Sequence, residues 1–145
     1  MEKLTLIVPC YNEEEVLPFF YEEFQKAAER LETYRIEVIF VDDGSKDGTL
    51  ETIKKLAKGD ERVKYVSFSR NFGKEAAIYA GFQHADGDYI AMLDADLQDP
   101  PSLLPEMMRE IVEEGYDSVA TRRVSRKGEP PVRSFFARCF YRLMK

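Results

Sequence analysis

Two carboxylates separated by one residue, Asp94 and Asp96, are the feature of this sequence that most directly suggests chemistry. They follow an uninterrupted apolar run, IAML at residues 90–93, which is typical of a strand buried on both faces. In an extended backbone, residues two positions apart point to the same side, so both carboxylates would face one pocket. Their oxygens suit Mg²⁺ or Mn²⁺, and Gln98 offers a further amide oxygen. The spacing predicts a divalent-metal site, although Asp-x-Asp also occurs in ordinary solvated loops of acidic chains.

An alternation of strands and helices is predicted to position this site. Apolar runs indicate strands at residues 4–8, 36–41, 63–68, 90–93 and 116–121. The segments between them indicate helices at residues 13–31, 49–58, 74–85 and 102–114. Asn12 is expected to be the N-cap of the first helix, and Pro18 lies in its opening turns. Short connections in such an alternation imply an α/β fold, with a mostly parallel sheet and helices on both faces.

Polar signatures follow four of the predicted strands. They lie at residues 11–13, 42–43, 70–74 and 94–98. Because the carboxyl ends of parallel strands meet at one edge of a sheet, where open α/β sheets bind ligands, we expect these residues to form one site.

The common nucleotide-binding motifs do not describe this edge. A dinucleotide-binding fold needs glycines after the first strand, but residues 9–15 contain none and include three glutamates. A Walker phosphate loop is also missing from the sequence. A signalling receiver domain would carry its acidic pair after the first strand, where this chain has residues 9–12, PCYN. The pattern favours a nucleotide that is held by carboxylates and a metal ion.

Composition limits the remaining possibilities. At 145 residues, 44% of them hydrophobic, the chain is long enough to bury the core of one soluble domain. It contains no apolar run near the roughly 18 residues that a membrane span needs. Residues 1–3 lead directly into a strand pattern, so no signal peptide is expected. Two distant cysteines suggest thiols in a reducing compartment, and we therefore expect a cytoplasmic location.

The net charge of −6 is unevenly distributed. Residues 122–145 contain eight basic residues and one acidic residue, a net charge of +7, so residues 1–121 carry −13. An acidic body excludes nucleic acid as a partner, whereas the basic end suits an anionic surface or a phosphate.

The end of the chain has an amphipathic pattern over residues 131–145. Arginines alternate there with the apolar residues Phe135, Phe136, Cys139, Phe140 and Leu143. This pattern indicates a helix, which either lies on an anionic membrane surface or packs against a further part of the protein. Both alternatives remain open at this point.

Four motifs in order carry a resemblance to a known family. They are VPCYNEEE at residues 8–15, VDDGSKDGT at 41–49, SRNFGKEAAIYAG at 69–81 and LDADLQDPP at 93–101. Together they resemble glycosyltransferase family 2, and within it the polyprenyl-phosphate glycosyltransferases, a group that includes dolichol-phosphate mannose synthase and bactoprenol glucosyltransferases. The resemblance covers about residues 4–121.

The resemblance implies a GT-A fold and an inverting transfer of a hexose from a nucleotide sugar, with UDP favoured, to a polyprenyl phosphate. It implies Mg²⁺ or Mn²⁺ as cofactor, bound by Asp94, Asp96 and Gln98, with Asp94 and Asp96 as catalytic residues. It also implies a set of nucleotide-sugar contacts: Pro9, Tyr11 and Glu13 at the nucleoside, Asp42 at the base, Asp43 in support of the loop, Asp94 near the ribose, and Lys74 and Arg122 at the phosphates.

The family pattern further implies a division of the chain. Residues 1–121 would be the nucleotide-sugar-binding portion of a GT-A domain, and residues 122–145 the basic start of an acceptor-binding, membrane-proximal part that is truncated here. A longer protein of this kind would lie at the cytoplasmic face of a membrane, and a homo-oligomer is possible. The alternative function is a nucleotide-sugar-binding piece without transferase activity.

Overall fold

The computed structural model describes residues 1–98, 100–116, 118–122 and 136–142, the last two ranges by their backbone alone. Within these ranges the chain forms six strands and four α-helices. Their bounds are β1 Lys3–Cys10, α1 Leu17–Arg30, β2 Arg35–Asp42, α2 Thr49–Gly59, β3 Val63–Ser67, α3 Lys74–His84, β4 Tyr89–Met92, α4 Leu104–Glu114, β5 Ser118–Arg122 and β6 Phe136–Arg142. A single 3₁₀ turn, Pro101–Leu103, precedes α4.

One sheet, in the order β3-β2-β1-β4-β6-β5, contains all six of these strands. β3, β2, β1 and β4 pair in parallel, and β6 pairs antiparallel with both β4 and β5. The register places Cys10 beside Asp42 and Ile7 beside Met92, so the exits of β2 and β4 flank the exit of β1. The expected edge, where several strand exits meet, is therefore present.

Helices cover both faces of the sheet. On one face the aromatic rings of Phe20 and Phe40 meet edge-on with centroids 6.0 Å apart, and both side chains are fully buried. Burial of each ring contributes about 2 kcal/mol. On the other face α3 packs so closely that a Cβ on Gly81 would lie 2.4 Å from the side chain of Ile7. This arrangement confirms the predicted α/β fold, in which the sheet is mostly parallel.

The predicted start of the first helix is wrong. α1 begins at Leu17, and Asn12 is in the left-handed region with φ +52° instead of capping the helix. The side-chain oxygen of Asn12 accepts a hydrogen bond from the backbone N–H of Lys46, a tertiary contact that the local sequence does not show. Pro18 then lies in the first turn of α1, where a missing N–H costs nothing.

The predicted helix at the end of the chain is also wrong where the structure describes it. Phe136–Arg142 is a strand, inserted between β4 and β5. Aromatic residues are frequent in this segment and favour strands, and pairing satisfies the backbone groups of β4 that would otherwise form an open edge. Residues 131–135 and 143–145 of the predicted helix lie outside the described residues. In the described part of the chain, none of the helices has the length and apolar character to cross a membrane.

Candidate functional site

A cavity of about 150 Å³ lies at the edge where β1, β2 and β4 end. The residues that line it are Pro9, Cys10, Tyr11, Glu13, Asp43, Lys74, Ala77, Asp94 and Asp96. Seven of these nine were candidates from the sequence, and they come from four separate segments of the chain. The parallel order of the strands brings them together, as the sequence pattern predicts.

Asp94 and Asp96 lie just beyond β4, which ends at Met92. The intervening Ala95 is fully buried, whereas Asp94 is partly buried and Asp96 is exposed. This alternation continues past the end of the strand, so both carboxylates line the cavity. A turn follows at once, since Leu97 has φ +64° and the N–H of Gln98 donates to Oδ1 of Asp96 at 3.1 Å.

Lys74 is the basic residue among those that line the cavity. It is the first residue of α3, and its Nζ lies 2.7 Å from Oδ1 of Asp94. The Asp94 side chain is 21% exposed and that of Lys74 is 52% exposed, so both are accessible from the cavity. An ammonium in this place suits a phosphate, and a carboxylate beside it suits a cation.

The charge around Glu13 is mainly negative. Burial raises the pKa of Glu13, the carboxylates of Asp96 and Asp47 raise it further, and the ammonium of Lys74 lowers it. The cavity is lined by four carboxylates, those of Glu13, Asp43, Asp94 and Asp96, and by one ammonium, that of Lys74. Such a surplus favours a bound cation.

The donor set fits a cation that also takes ligands from a substrate. Among the described residues, no group of three or more His, Cys, Asp or Glu side chains converges as a ready-made metal cage. Mg²⁺ commonly uses one or two carboxylates and completes its shell with water and substrate phosphates. The pair Asp94 and Asp96 matches that requirement.

The buried carboxylate of Asp43 holds the loop before α3. It accepts hydrogen bonds from the backbone N–H groups of Phe72, at 2.7 Å, and Gly73, at 3.1 Å, and from the side-chain amide of Asn71 at 3.1 Å. The neighbouring Gly44 has φ +71°, and a Cβ there would lie 2.2 Å from the carbonyl carbon of Arg70. These contacts fix the exit of β2 against the exit of β3.

The exits of β1 and β2 are joined in a similar way. The N–H of Asn12 donates to Oγ of Ser45, and the N–H of Lys46 donates to Oδ1 of Asn12, both at 2.9 Å. The N–H of Glu13 donates to Oγ1 of Thr49 at 2.7 Å. The loops around the cavity are therefore organised before any ligand binds, which lowers the entropic cost of binding.

Three of the candidate residues are not among those that line the cavity. Of the residues whose side chains the structure describes, Asp42 is buried, with its carboxylate 3.3 Å from the N–H of Ser45, and Gln98 is exposed in the turn beyond Asp96. Arg122 is the last residue of β5, and only its backbone is described. Their roles stay predictions.

Two lining residues were not candidates from the sequence. Ala77 is a small residue on the face of α3 that packs against the sheet, and only the packing of α3 shows that it reaches the cavity. Cys10 is a buried core residue, only 2% exposed. Burial raises the pKa of its thiol well above the ordinary value, and the carboxylates of Glu13 and Asp42 raise it further, so the thiol stays protonated at neutral pH.

Comparison with known proteins gives a consistent result. The family described as Glycosyl transferase family 2 matches residues 5–142. A prophage bactoprenol glucosyl transferase homolog of Escherichia coli (strain K12) is 43% identical over 97% of this chain and 45% of its own length. The chain spans less than half the length of the curated relatives it matches.

Two solved structures share the fold. The mannosyltransferase PcManGT from Pyrobaculum calidifontis, in complex with GDP-Man and Mn²⁺, superimposes with a TM-score of 0.70 at 24% identity, over 84% of this chain and 36% of that one. S. aureus TarS 1–349 in complex with UDP-GlcNAc superimposes with a TM-score of 0.67 at 24% identity, over 90% of this chain and 37% of that one. The likeness confirms the GT-A type of fold.

Proposed function

This chain belongs to glycosyltransferase family 2, and on that premise we propose that its cavity binds a nucleotide sugar as the donor for transfer of a hexose to a polyprenyl phosphate. The observation that carries this proposal is the grouping of Asp94, Asp96 and Lys74 in the lining of one cavity, with Lys74 and Asp94 in direct contact. Carboxylates for a metal ion and an ammonium for a phosphate are together what a nucleoside diphosphate requires.

The metal ion would be held by Asp94 and Asp96, with Gln98 as a third ligand in the proposal. Mg²⁺ and Mn²⁺ both suit these oxygen donors. When bound, such an ion neutralises the charge that develops on the diphosphate leaving group, which lowers the barrier by several kcal/mol. Lys74 would contribute to the same neutralisation by donating to a phosphate oxygen.

The nucleoside would lie against Pro9, Tyr11 and Glu13. These residues line the cavity beside the carboxylates, and Tyr11 is 41% exposed, so its ring is accessible for stacking on a base. Asp42 is proposed as the contact for the base, and Arg122 as a further phosphate contact. UDP is the nucleotide proposed, and GDP is tested beside it, since S. aureus TarS is solved with UDP-GlcNAc and PcManGT with GDP-Man.

The acceptor proposed is a polyprenyl phosphate, which the name of the bactoprenol relative supports. A phosphate monoester has a second pKa near 6, so it is largely ionised at pH 7. Its own oxygen can attack the anomeric carbon from the side opposite the leaving diphosphate, which inverts the configuration. A strong protein base is then unnecessary, and the cavity has to orient the donor and stabilise the leaving group.

Association with a membrane surface is a further part of the proposal. The eight basic residues among positions 122–145 would attract the anionic headgroups of the cytoplasmic leaflet. In that arrangement the donor cavity would lie close to the membrane in which the lipid acceptor is held. A homo-oligomer stays a prediction.

Donor binding without transfer is the second candidate function for these 145 residues. The length of the match favours this candidate, because more than half of the length of these curated relatives lies outside the match. Both candidates predict the same nucleotide site, and they differ only in whether sugar reaches an acceptor.

Calorimetric titration and a transfer assay test the proposal. We expect UDP, and more weakly GDP, to bind the chain in Mn²⁺ and to lose affinity in EDTA. Release of UDP from UDP-glucose that requires a polyprenyl phosphate would establish transfer. Binding without such release would favour the second candidate, and failure to bind either nucleotide in metal would overturn both.

A further inference from the structure

We propose that Asp43 is a positioning residue that acts on the donor cavity through Lys74. The inference rests on the proposed function, because it concerns how the phosphate contact of that site is placed. Asp43 directly follows β2, and its side chain is almost completely buried, with the residue only 4% exposed. A carboxylate in such a place must be satisfied by hydrogen bonds, or its burial would be very costly.

The donors to the oxygen atoms of Asp43 lie in the three residues before Lys74. Oδ1 accepts from the N–H of Phe72 at 2.7 Å, and Oδ2 accepts from the N–H of Gly73 at 3.1 Å. Oδ2 and the backbone oxygen of Asp43 also accept from the side-chain amide of Asn71, at 3.1 and 3.2 Å. The carboxylate therefore holds the backbone immediately ahead of α3.

The backbone that Asp43 holds determines where Lys74 begins. Gly73 is the N-cap of α3, with φ +103°, and Lys74 is the first helical residue. A shift of the two bound N–H groups would rotate or displace the start of the helix, and with it the base of the Lys74 side chain. The Nζ of Lys74 lies 2.7 Å from Oδ1 of Asp94, a residue of the loop after β4 that also lines the cavity.

A continuous line of contacts thus runs from β2 through α3 to the loop after β4. Gly44 supports it separately, since its backbone packs against Arg70 with no room for a Cβ. Lysine has a long and flexible side chain, so a fixed anchor decides how often its ammonium is in the productive place. Asp43 supplies that anchor without having to touch the donor.

Direct contact between Asp43 and the donor is the competing explanation, because Asp43 also lines the cavity. A double-mutant cycle separates the two. The affinity for UDP in Mn²⁺, or for GDP if that is the nucleotide bound, is measured by calorimetry on the unchanged chain, Asp43→Asn, Lys74→Met and the double variant. Thermal melts establish that each variant is folded.

If Asp43 acts through Lys74, substitution of Asp43 should have no further effect on nucleotide affinity in a chain that already lacks Lys74. We expect each single variant to bind about tenfold more weakly, and the double variant to bind no more weakly than Lys74→Met. Losses that multiply to about a hundredfold in the double variant would overturn the inference, because Asp43 would then act on the donor by another route.

Asp60→Asn is the matched control for a purely structural effect. Asp60 is also a largely buried carboxylate with several donors, Arg62 and Tyr21 among them, but it lies at the opposite edge of the sheet, before β3. We expect it to lower the melting temperature and leave nucleotide affinity unchanged. The same behaviour in Asp43→Asn would overturn the inference while leaving the proposed function intact.

A second variant covers the case in which Asp43→Asn does not fold. Asn71→Ala removes one donor to Asp43 from an exposed position, and we expect a smaller loss of affinity that again disappears in the Lys74→Met background. A loss that persists there would count against the inference. If the unchanged chain binds neither nucleotide, the proposed function fails first, and the inference falls with it.

Discussion

The Nζ of Lys74 lies 2.7 Å from Oδ1 of Asp94, and this contact joins the first residue of α3 to the loop after β4. In this ion pair, the residue that is proposed to contact a phosphate is bonded to a residue that is proposed to bind the metal ion. Without a nucleotide, a metal ion that binds Asp94 must compete with the ammonium of Lys74. When the metal ion binds together with a diphosphate, Lys74 can instead pair with a phosphate oxygen.

Lys74→Met is therefore expected to change two affinities in opposite directions. Mn²⁺ alone should bind about two- to fivefold more tightly, because a half-exposed ion pair with Asp94 is worth little more than this. UDP in Mn²⁺ should bind about tenfold more weakly, because a charge-assisted hydrogen bond to phosphate is lost. Calorimetric titration of each ligand measures both.

Lys54→Met is the control for this pair of measurements. Lys54 is an exposed lysine on α2 that also has a carboxylate neighbour, Glu51, at 4.0 Å, but it does not line the cavity. Neither affinity should change in this variant. A Lys74→Met chain that loses affinity for Mn²⁺ alone would contradict the competition between Lys74 and the metal.

Gly44→Ala should destabilise the chain by about 2 kcal/mol or more. The backbone at Gly44 has φ +71°, and an added Cβ would lie 2.2 Å from the carbonyl carbon of Arg70, a backbone atom that cannot rotate away. Urea denaturation measures the loss. Gly59→Ala is the matched control: nothing lies within 4 Å of the added Cβ, so its free energy of unfolding should stay the same or rise slightly.

Asp60 should contribute a component of stability that is lost in acid. Hydrogen bonds from the side chain of Arg62, and then from Tyr21, lower the pKa of Asp60 from 3.8 to about 2, against the opposing effect of burial. The folded state therefore holds this carboxylate ionised at pH values where the unfolded chain protonates it. The contribution, about 2 kcal/mol, is fully present above pH 4 and disappears as the pH falls through 2.

The measurement is the free energy of unfolding between pH 2 and pH 5. Asp60→Asn should lower stability at pH 5 and flatten its decline towards pH 2. Asp86→Asn is the comparison, because the hydrogen bond from Lys3 also lowers the pKa of Asp86, but the Asp86 side chain is 73% exposed and water screens the pair. An equally steep decline in Asp60→Asn and the unchanged chain would show that other groups control the acid behaviour.

The parallel part of the fold and the place of the site could be predicted from the sequence because both follow from local patterns. Uninterrupted apolar runs mark strands that are buried on both faces, and the residues after each run must then meet at one edge. That reasoning placed Asp94 and Asp96 beside Glu13 before the structure showed them lining one cavity. Strand ends were less accurate, since β4 stops at Met92.

The sequence was least informative where distant contacts decide the structure. The spacing of apolar residues in Phe136–Arg142 also suits a helix, but the segment pairs with both β4 and β5 as a strand, and those partners are distant in the sequence. Asn12 has a common helix-capping residue type, yet its partners are Ser45 and Lys46. The donors to the carboxylate of Asp43 lie 28 to 30 positions away, so no local pattern could have shown that this side chain holds the start of α3.

The most direct test of the account is whether Asp96 is required for metal-dependent nucleotide binding. UDP is titrated in Mn²⁺ into the unchanged chain, Asp96→Asn and Asp86→Asn, an exposed aspartate at the opposite edge of the sheet, with a melt of each sample. We predict that Asp96→Asn loses at least about tenfold in affinity, as removal of a metal ligand should, and that Asp86→Asn binds like the unchanged chain. A folded Asp96→Asn chain with undiminished, metal-dependent affinity would contradict the proposed site.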